Sequence, residues 1–142
     1  MAQQTIVATR ACYVNASISG QTFTSTDTVA VYLTDSDNAD GIPTVGRADD
    51  TNSVIYGKLD VNAKNWNALS PGEVNANGDV TYTGMASVIV DGVVTFAISG
   101  VGSGDIGTGI EGDASNTISA AATGTGKIVA YSNGTAWVDL RA

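Results

Sequence analysis

The chain has 142 residues, with 14 Asp and Glu against 6 Lys and Arg, one cysteine and no histidine. The missing histidine removes the commonest general base and the commonest metal ligand, which points away from catalysis and toward work by shape and contact. The net charge of -8 and the scatter of the basic residues from Arg10 to Arg141 argue against binding of DNA or RNA, which calls for a basic patch.

The length fits one domain, residues 1–142, and 43% apolar residues are enough for a core. There are 16 Val and 10 Ile but only 4 Leu. β-Branched side chains are stiff at χ1 and suit a pleated surface better than a helix. No window keeps a helical period, so the chain reads as all-β: an antiparallel sandwich or barrel-like domain built from hairpins, with an extended N-terminal segment. No apolar run approaches the ~18–20 residues of a membrane span. MAQQTIVATR lacks a basic stretch followed by an apolar one, so synthesis and folding in a cytoplasm are expected. One cysteine cannot build a disulfide framework.

Residues 5–18 alternate, with Ile6, Ala8, Cys12, Val14, Ala16 and Ile18 on one face and Arg10 interrupting it. Arg10 implies a bend or a partner carboxylate. Cys12 reads as a small buried hydrophobe, since a catalytic thiol wants a histidine or a cationic setting. Residues 1–10 read either as an arm for strand addition, centred on Thr5, Ile6 and Val7, or as an ordinary edge strand. Gly20 turns the chain. Residues 28–34 form a strand with Val29, Val31 and Leu33 on one face, and DSDNADGIP (35–43) is a loop. Asp35, Asp37 and Asp40 in that loop are a weak calcium candidate. An EF-hand register fails, because its fifth position is Ala39, its sixth Asp40 and its twelfth Gly46. Asp49-Asp50 reads as a pair of solvated turn residues rather than a hydrolytic pair.

Residues 53–61 suggest a short strand containing Gly57, and 62–79 a loop anchored by Trp66 and Leu69. Residues 79–90, Asp91-Gly92 and 93–99 match a hairpin with a type I′ turn. In that register Val90 faces Val93, Val88 faces Thr95 and Ile89 faces Val94, so both faces are apolar. Such a hairpin lies inside a sandwich or at a subunit contact, which makes Val88, Val90, Val94 and Phe96 candidate interaction residues and a homotrimer the expected assembly. Residues 100–116 read as a flexible Gly-rich connection. Gly102, Gly104 and Gly107 fit G-x-G-x-x-G, but no helix-forming stretch follows, so no dinucleotide cofactor is expected. Gly126-Lys127 fails as a phosphate loop. Asn15-Ala-Ser17 and Asn133-Gly-Thr135 fit the glycosylation pattern without a secretion signal to give it meaning. A last hairpin joins 127–132 and 135–140 through Asn133-Gly134, with Val129, Tyr131, Ala136, Val138 and Leu140 on one face and Trp137 on the other.

The stretch GTGKIVAYSNGTAWVDLRA (124–142) resembles the C-terminal hairpins of tailed-phage virion proteins, in which a strand, an Asn-Gly or Asp-Gly turn and a Trp-containing strand recur. The richness in Gly, Ala, Thr and Val and the few charges match that group in style. The resemblance implies a capsid decoration (cement) protein that binds the major capsid protein, stabilises the head and sits on the virion surface. It equally admits a fibre-like or receptor-binding module, marked by a solvent-facing aromatic patch at Trp66 or Trp137. It carries over no catalytic residue and no cofactor. An Asp-based hydrolase is the remaining alternative, and it needs two carboxylates ~5–10 Å apart across a cleft.

Overall fold

The computed structural model describes residues 7–24, 26–61, 72–74 and 79–141, the side chains of 72–74 excepted. In chain order the strands are β1 (Ala8–Val14), β2 (Thr22–Phe23), β3 (Ala30–Leu33), β4 (Thr44–Arg47), β5 (Gly57–Leu59), β6 (Gly72–Val74) and β7 (Val80–Tyr82). They continue with β8 (Met85–Asp91), β9 (Val93–Ala97), β10 (Gly109–Asp113), β11 (Thr117–Ala121), β12 (Lys127–Ser132) and β13 (Thr135–Asp139). Only two short 3-10 turns, Ser103–Asp105 and Ala114–Asn116, interrupt this all-β plan among the described residues.

Five strands close a barrel in the order β1-β4-β3-β5-β8, and β8 returns to β1. All pairs are antiparallel except β1 with β4, where Tyr13 and Val14 run parallel to Thr44 and Val45. The sheet β2-β7-β6 sends Phe23, Val80 and Tyr82 into the barrel's apolar cluster, beside Cys12, Val31, Val45, Leu59 and Val88. A second cluster gathers Val94, Phe96 and Ile98, then Ile110 and Ile118, then Ile128, Ala136, Val138 and Leu140. These come from the sheet β12-β13-β9, the pair β10-β11 and their flanks.

The two clusters share a wall. In β3 the neighbours Ala30 and Val31 point to opposite sides, and each enters a different cluster. In β8, Ala86 and Val88 face the barrel interior while Ile89 packs on the second cluster. Alternation along a strand buried on both faces gives the continuous apolar run seen in the sequence.

This arrangement corrects the hairpin expected around Asp91-Gly92. Residues 79–90 divide between β7 and β8, which lie in different sheets. β8 uses both of its edges, one on β1 and one on β5, so β9 cannot pair with it and pairs with β13 instead. The dipeptide is a corner between sheets. Gly92 has φ 106, but Asp91 is not left-handed, whereas a type I′ turn needs positive φ at both positions. Asn133 and Gly134, at φ 48 and 79, meet that requirement, and Ser132 pairs with Thr135 across them.

The candidate interaction residues change meaning accordingly. Val88, Val94 and Phe96 are buried in the chain's own two clusters, and Val90 packs partly against the barrel cluster. Both apolar faces of the expected hairpin are thus covered from within, and they no longer argue for a trimer. Three other readings also shift. Leu33 is exposed rather than aligned inward with Val29 and Val31. Residues 100–116 contain β10 and half of a hairpin with β11, so their glycines serve packing as well as turning. A Cβ on Gly109 would run into the backbone of Gly124, which is why a glycine stands there inside a strand. Finally, Ala8, Thr9 and Arg10, counted with the arm, are paired into β1 opposite Asp91, Ile89 and Val88, with a register irregularity after Ala8.

Candidate functional site

The C-terminal hairpin builds the most distinctive surface. β12 and β13 pair from Ser132–Thr135 back to Lys127–Asp139, and the register slips between Ile128 and Ala130. A slip of one residue exchanges the faces of everything beyond it. Ile128 is therefore buried opposite Val138, and Val129 turns outward at 46% exposure, while Tyr131 stays opposite Ala136 on the face of Val138, though it is 42% exposed. The expectation that Val129 and Tyr131 share the face of Ala136, Val138 and Leu140 holds for Tyr131 and fails for Val129. Trp137 lies between Ala130 and Thr95 and is 37% exposed. Val93, on β9, is exposed on the same sheet.

The outer edge of β12 is only partly closed. The N–H of Ile128 donates to Thr108 and its carbonyl accepts from Gly107. Beyond Ile128, among the described residues, no strand pairs with that edge. An open strand edge beside Val129, Tyr131 and Trp137 presents main-chain donors and acceptors together with apolar side chains, the two things strand addition uses.

The sheet's other end is pinned by the C-terminal residues. The Leu140 N–H donates to the Gly92 carbonyl. Arg141 grips Asp91 through two nitrogens, Nε to Oδ1 at 3.0 Å and Nη2 to Oδ2 at 2.9 Å. The guanidinium holds the Asp91 carboxyl below the usual carboxylate range. Between barrel and sheet, Lys58 lies with Nζ 5.5 Å from the Phe96 ring centroid and 3.4 Å from Thr95 Oγ1. Burial lowers its pKa, and Asp60 offsets part of that shift.

The acidic loop does not bring its carboxylates together. Asp40 accepts a hydrogen bond from the Tyr13 hydroxyl and another, through Oδ1, from the Ile42 N–H at 3.1 Å. Its carboxyl is lowered chiefly by the Tyr13 bond, and the Tyr13 hydroxyl is raised by the same contact. Asn38 donates to the Ile42 carbonyl and to Thr44 Oγ1, closing the loop on itself. Asp35 and Asp37 remain exposed, and among the described residues no three His, Cys, Asp or Glu side chains come together for a metal. The loop's oxygens satisfy its own backbone instead, which is what Asx side chains do in turns.

Asp49 behaves similarly: its Oδ1 accepts from the Thr51 and Asn52 amides. Cys12 is fully buried, and burial pushes its thiol up to about 11. Of the proposed arm residues, Val7 is exposed, and Thr5 and Ile6 lie outside the described residues, as do Trp66 and Leu69. Among the described residues, three surface clefts stand out. The first, about 390 Å³, is lined by Tyr32, Leu33, Tyr56 and the segment between Thr51 and Ile55. The second includes Asp40 and the third Asp27, and neither holds a second carboxylate.

Among the described residues no helix is long and apolar enough to cross a membrane. No protein-family model matches the chain, no curated protein matches its sequence, and no solved structure matches its fold.

Proposed function

We propose that the chain is a virion structural protein, a decoration protein that docks its C-terminal sheet on the major capsid protein and stabilises the head. The observation that carries this reading is the apolar surface of exposed Val129 and Trp137 beside the open edge of β12. These are the residues that the phage-like C-terminal stretch contributes. The remaining surface is acidic, with a net charge of -8, so the apolar cluster is where a second protein surface is accommodated without charge repulsion. A ligand that prefers the expanded capsid adds its binding free energy to that state, and many copies multiply a modest term. The reading needs neither a trimer nor a metal.

The test is co-sedimentation with expanded capsids at low and high salt. Apolar and main-chain contacts survive salt that screens exposed ion pairs, so binding should persist at high salt. Trp137→Ser together with Val129→Asp should abolish it. Removing residues 1–6 reports on the arm without touching β1. Release by moderate salt, or full binding by the doubly substituted chain, overturns the interface. A second reading, a fibre-like or receptor-binding module, is favoured by the solvent exposure of Trp137. Binding to tails or cell surfaces in place of capsids would select it. The Asp-based hydrolase gains no support from the clefts, since none of the three brings two carboxylates together.

A further inference from the structure

The cleft beside β3 shares no lining residue with the C-terminal sheet and combines features that the docking role does not use. One wall is Tyr32 and Leu33 of β3; the other is the segment 51–56 that leads into β5. That segment is held in place. Asp49 Oδ1 accepts from the Thr51 and Asn52 amides, and the Asp49 N–H donates to the Asn52 carbonyl. The Ser53 carbonyl accepts from Gly112 of β10, and the Tyr56 N–H donates to the Val31 carbonyl at 2.7 Å. Opposite Tyr32 stands Gly46, where a Cβ would come within 2.7 Å of Tyr32 Cε1. The glycine lets the ring lie close on the sheet. The cleft is thus built before any ligand arrives, which cuts the ordering cost of binding.

Its chemistry is mixed in a particular way. Two tyrosines and the exposed Leu33 and Val54, the latter 77% exposed, give apolar surface. The side chains of Thr51, Asn52, Ser53 and Tyr56 make no hydrogen bond among the described residues, and apart from the tyrosines no ionisable side chain lines the cleft. A purely apolar occupant would bury these polar groups unpaired and forfeit their hydrogen bonds to water. An anionic occupant meets no counter-charge and a molecule of net charge -8. What suits the lining is a neutral molecule with hydroxyls around its rim and C–H groups on its faces. We propose that this cleft binds a neutral saccharide of one or two rings, with Tyr32 and Tyr56 as its apolar platforms and Thr51, Asn52 and Ser53 as its hydrogen-bonding partners. The volume of about 390 Å³ sits at the small end of the ~300–1,000 Å³ of ligand clefts, as a mono- or disaccharide requires.

This proposal stands apart from the capsid reading, because its test needs no virion. The 15N-labelled full chain is titrated with methyl glucoside, methyl galactoside, methyl mannoside and maltose, with glucuronate and glucosamine as charged controls. A neutral sugar should shift the amides of residues 51–56 and leave those of 129–137 unmoved. Asn52→Leu keeps the side-chain volume, removes a donor and an acceptor, and should weaken the response about tenfold, the equivalent of one hydrogen bond. Tyr32→Ala should abolish it. Because that change also uncovers Gly46, Asn52→Leu, with its spectrum otherwise unchanged, remains the decisive variant. No shift with any of the neutral sugars, a stronger response to a charged one, or an undiminished response in Asn52→Leu overturns the proposal.

Discussion

Asp91-Gly92 and Asn133-Gly134 are near-identical dipeptides, each between two apolar stretches, and the chain uses them in opposite ways. At Asn133-Gly134 both residues take positive φ and the strands fold back on each other. At Asp91-Gly92 only the glycine does, and the strands leave for different sheets. The difference lies in what else the flanking strands can pair with. Among the described residues β12 has only its hairpin partner and a short contact at Ile128, so the local turn decides. β8 has β1 along its length and β5 at Val88 and Ile89, and these two non-local pairings outweigh a local turn preference. A turn signal states what a dipeptide permits; the competition for strand edges decides whether it is used.

The strongest way to break this comparison is to charge the strand that chose the barrel. Val88→Asp places a carboxylate among Cys12, Val45 and Leu59, and even with Arg10 opposite it on β1 should cost several kcal/mol, enough to prevent folding. A soluble, cooperatively melting Val88→Asp chain would mean that Val88 faces water, as a free hairpin allows. Gly57→Ala is a milder and more specific probe. A Cβ there would strike the Ile89 carbonyl across the β5–β8 pair, so a loss of ~1–3 kcal/mol in denaturant midpoints is expected. If β8 paired with β9 instead, the substitution would cost almost nothing.

A third pair of substitutions compares the turns directly. Asn133→Val forces a β-branched residue to φ 48 and should cost ~1–2 kcal/mol. Asp91→Val keeps an extended backbone, and chemical denaturation should show it far less damaging. The smallest expected effect is electrostatic. The Asp91 carboxyl is lowered by Arg141, so its contribution is present above the pKa of the unfolded chain and lost as pH falls through the folded value. Arg141→Ala should lower the melting temperature slightly at neutral pH and low salt. The gap should close on acidification and in high salt, since the pair is exposed.

These tests also mark what could be read from the chain beforehand. The excess of Val and Ile over Leu was enough for an all-β plan, and the Asn133-Gly134 turn was legible because it depends on neighbours in sequence. The two-sided apolar character of residues 85–91 correctly demanded two covers, but nothing local said that both would come from the same chain. Strands as short as β2 and β4 hold no periodic signal. β10 stayed hidden because its glycines resemble a flexible loop until the backbone of Gly124 is seen against Gly109. The outward turn of Val129 depends on one slipped residue, which alternation alone cannot register. The cleft joins Tyr32 and Tyr56, 24 positions apart, and had no motif to announce it.

The lone cysteine supplies a built-in clock for the barrel. Cys12 sits in the strand that touches both β4 and β8, is fully buried, and has a thiol that ionises only near 11. A thiol reagent can reach it only while that strand is away from its neighbours. The labelling rate under native conditions therefore measures how often the barrel opens, with no engineered reporter. If the opening free energy equals the global stability, the shared wall of β3 and β8 makes the two clusters melt as one body. If it is smaller, the barrel breathes while the C-terminal sheet holds, and the molecule has two levels of order behind a single melting curve.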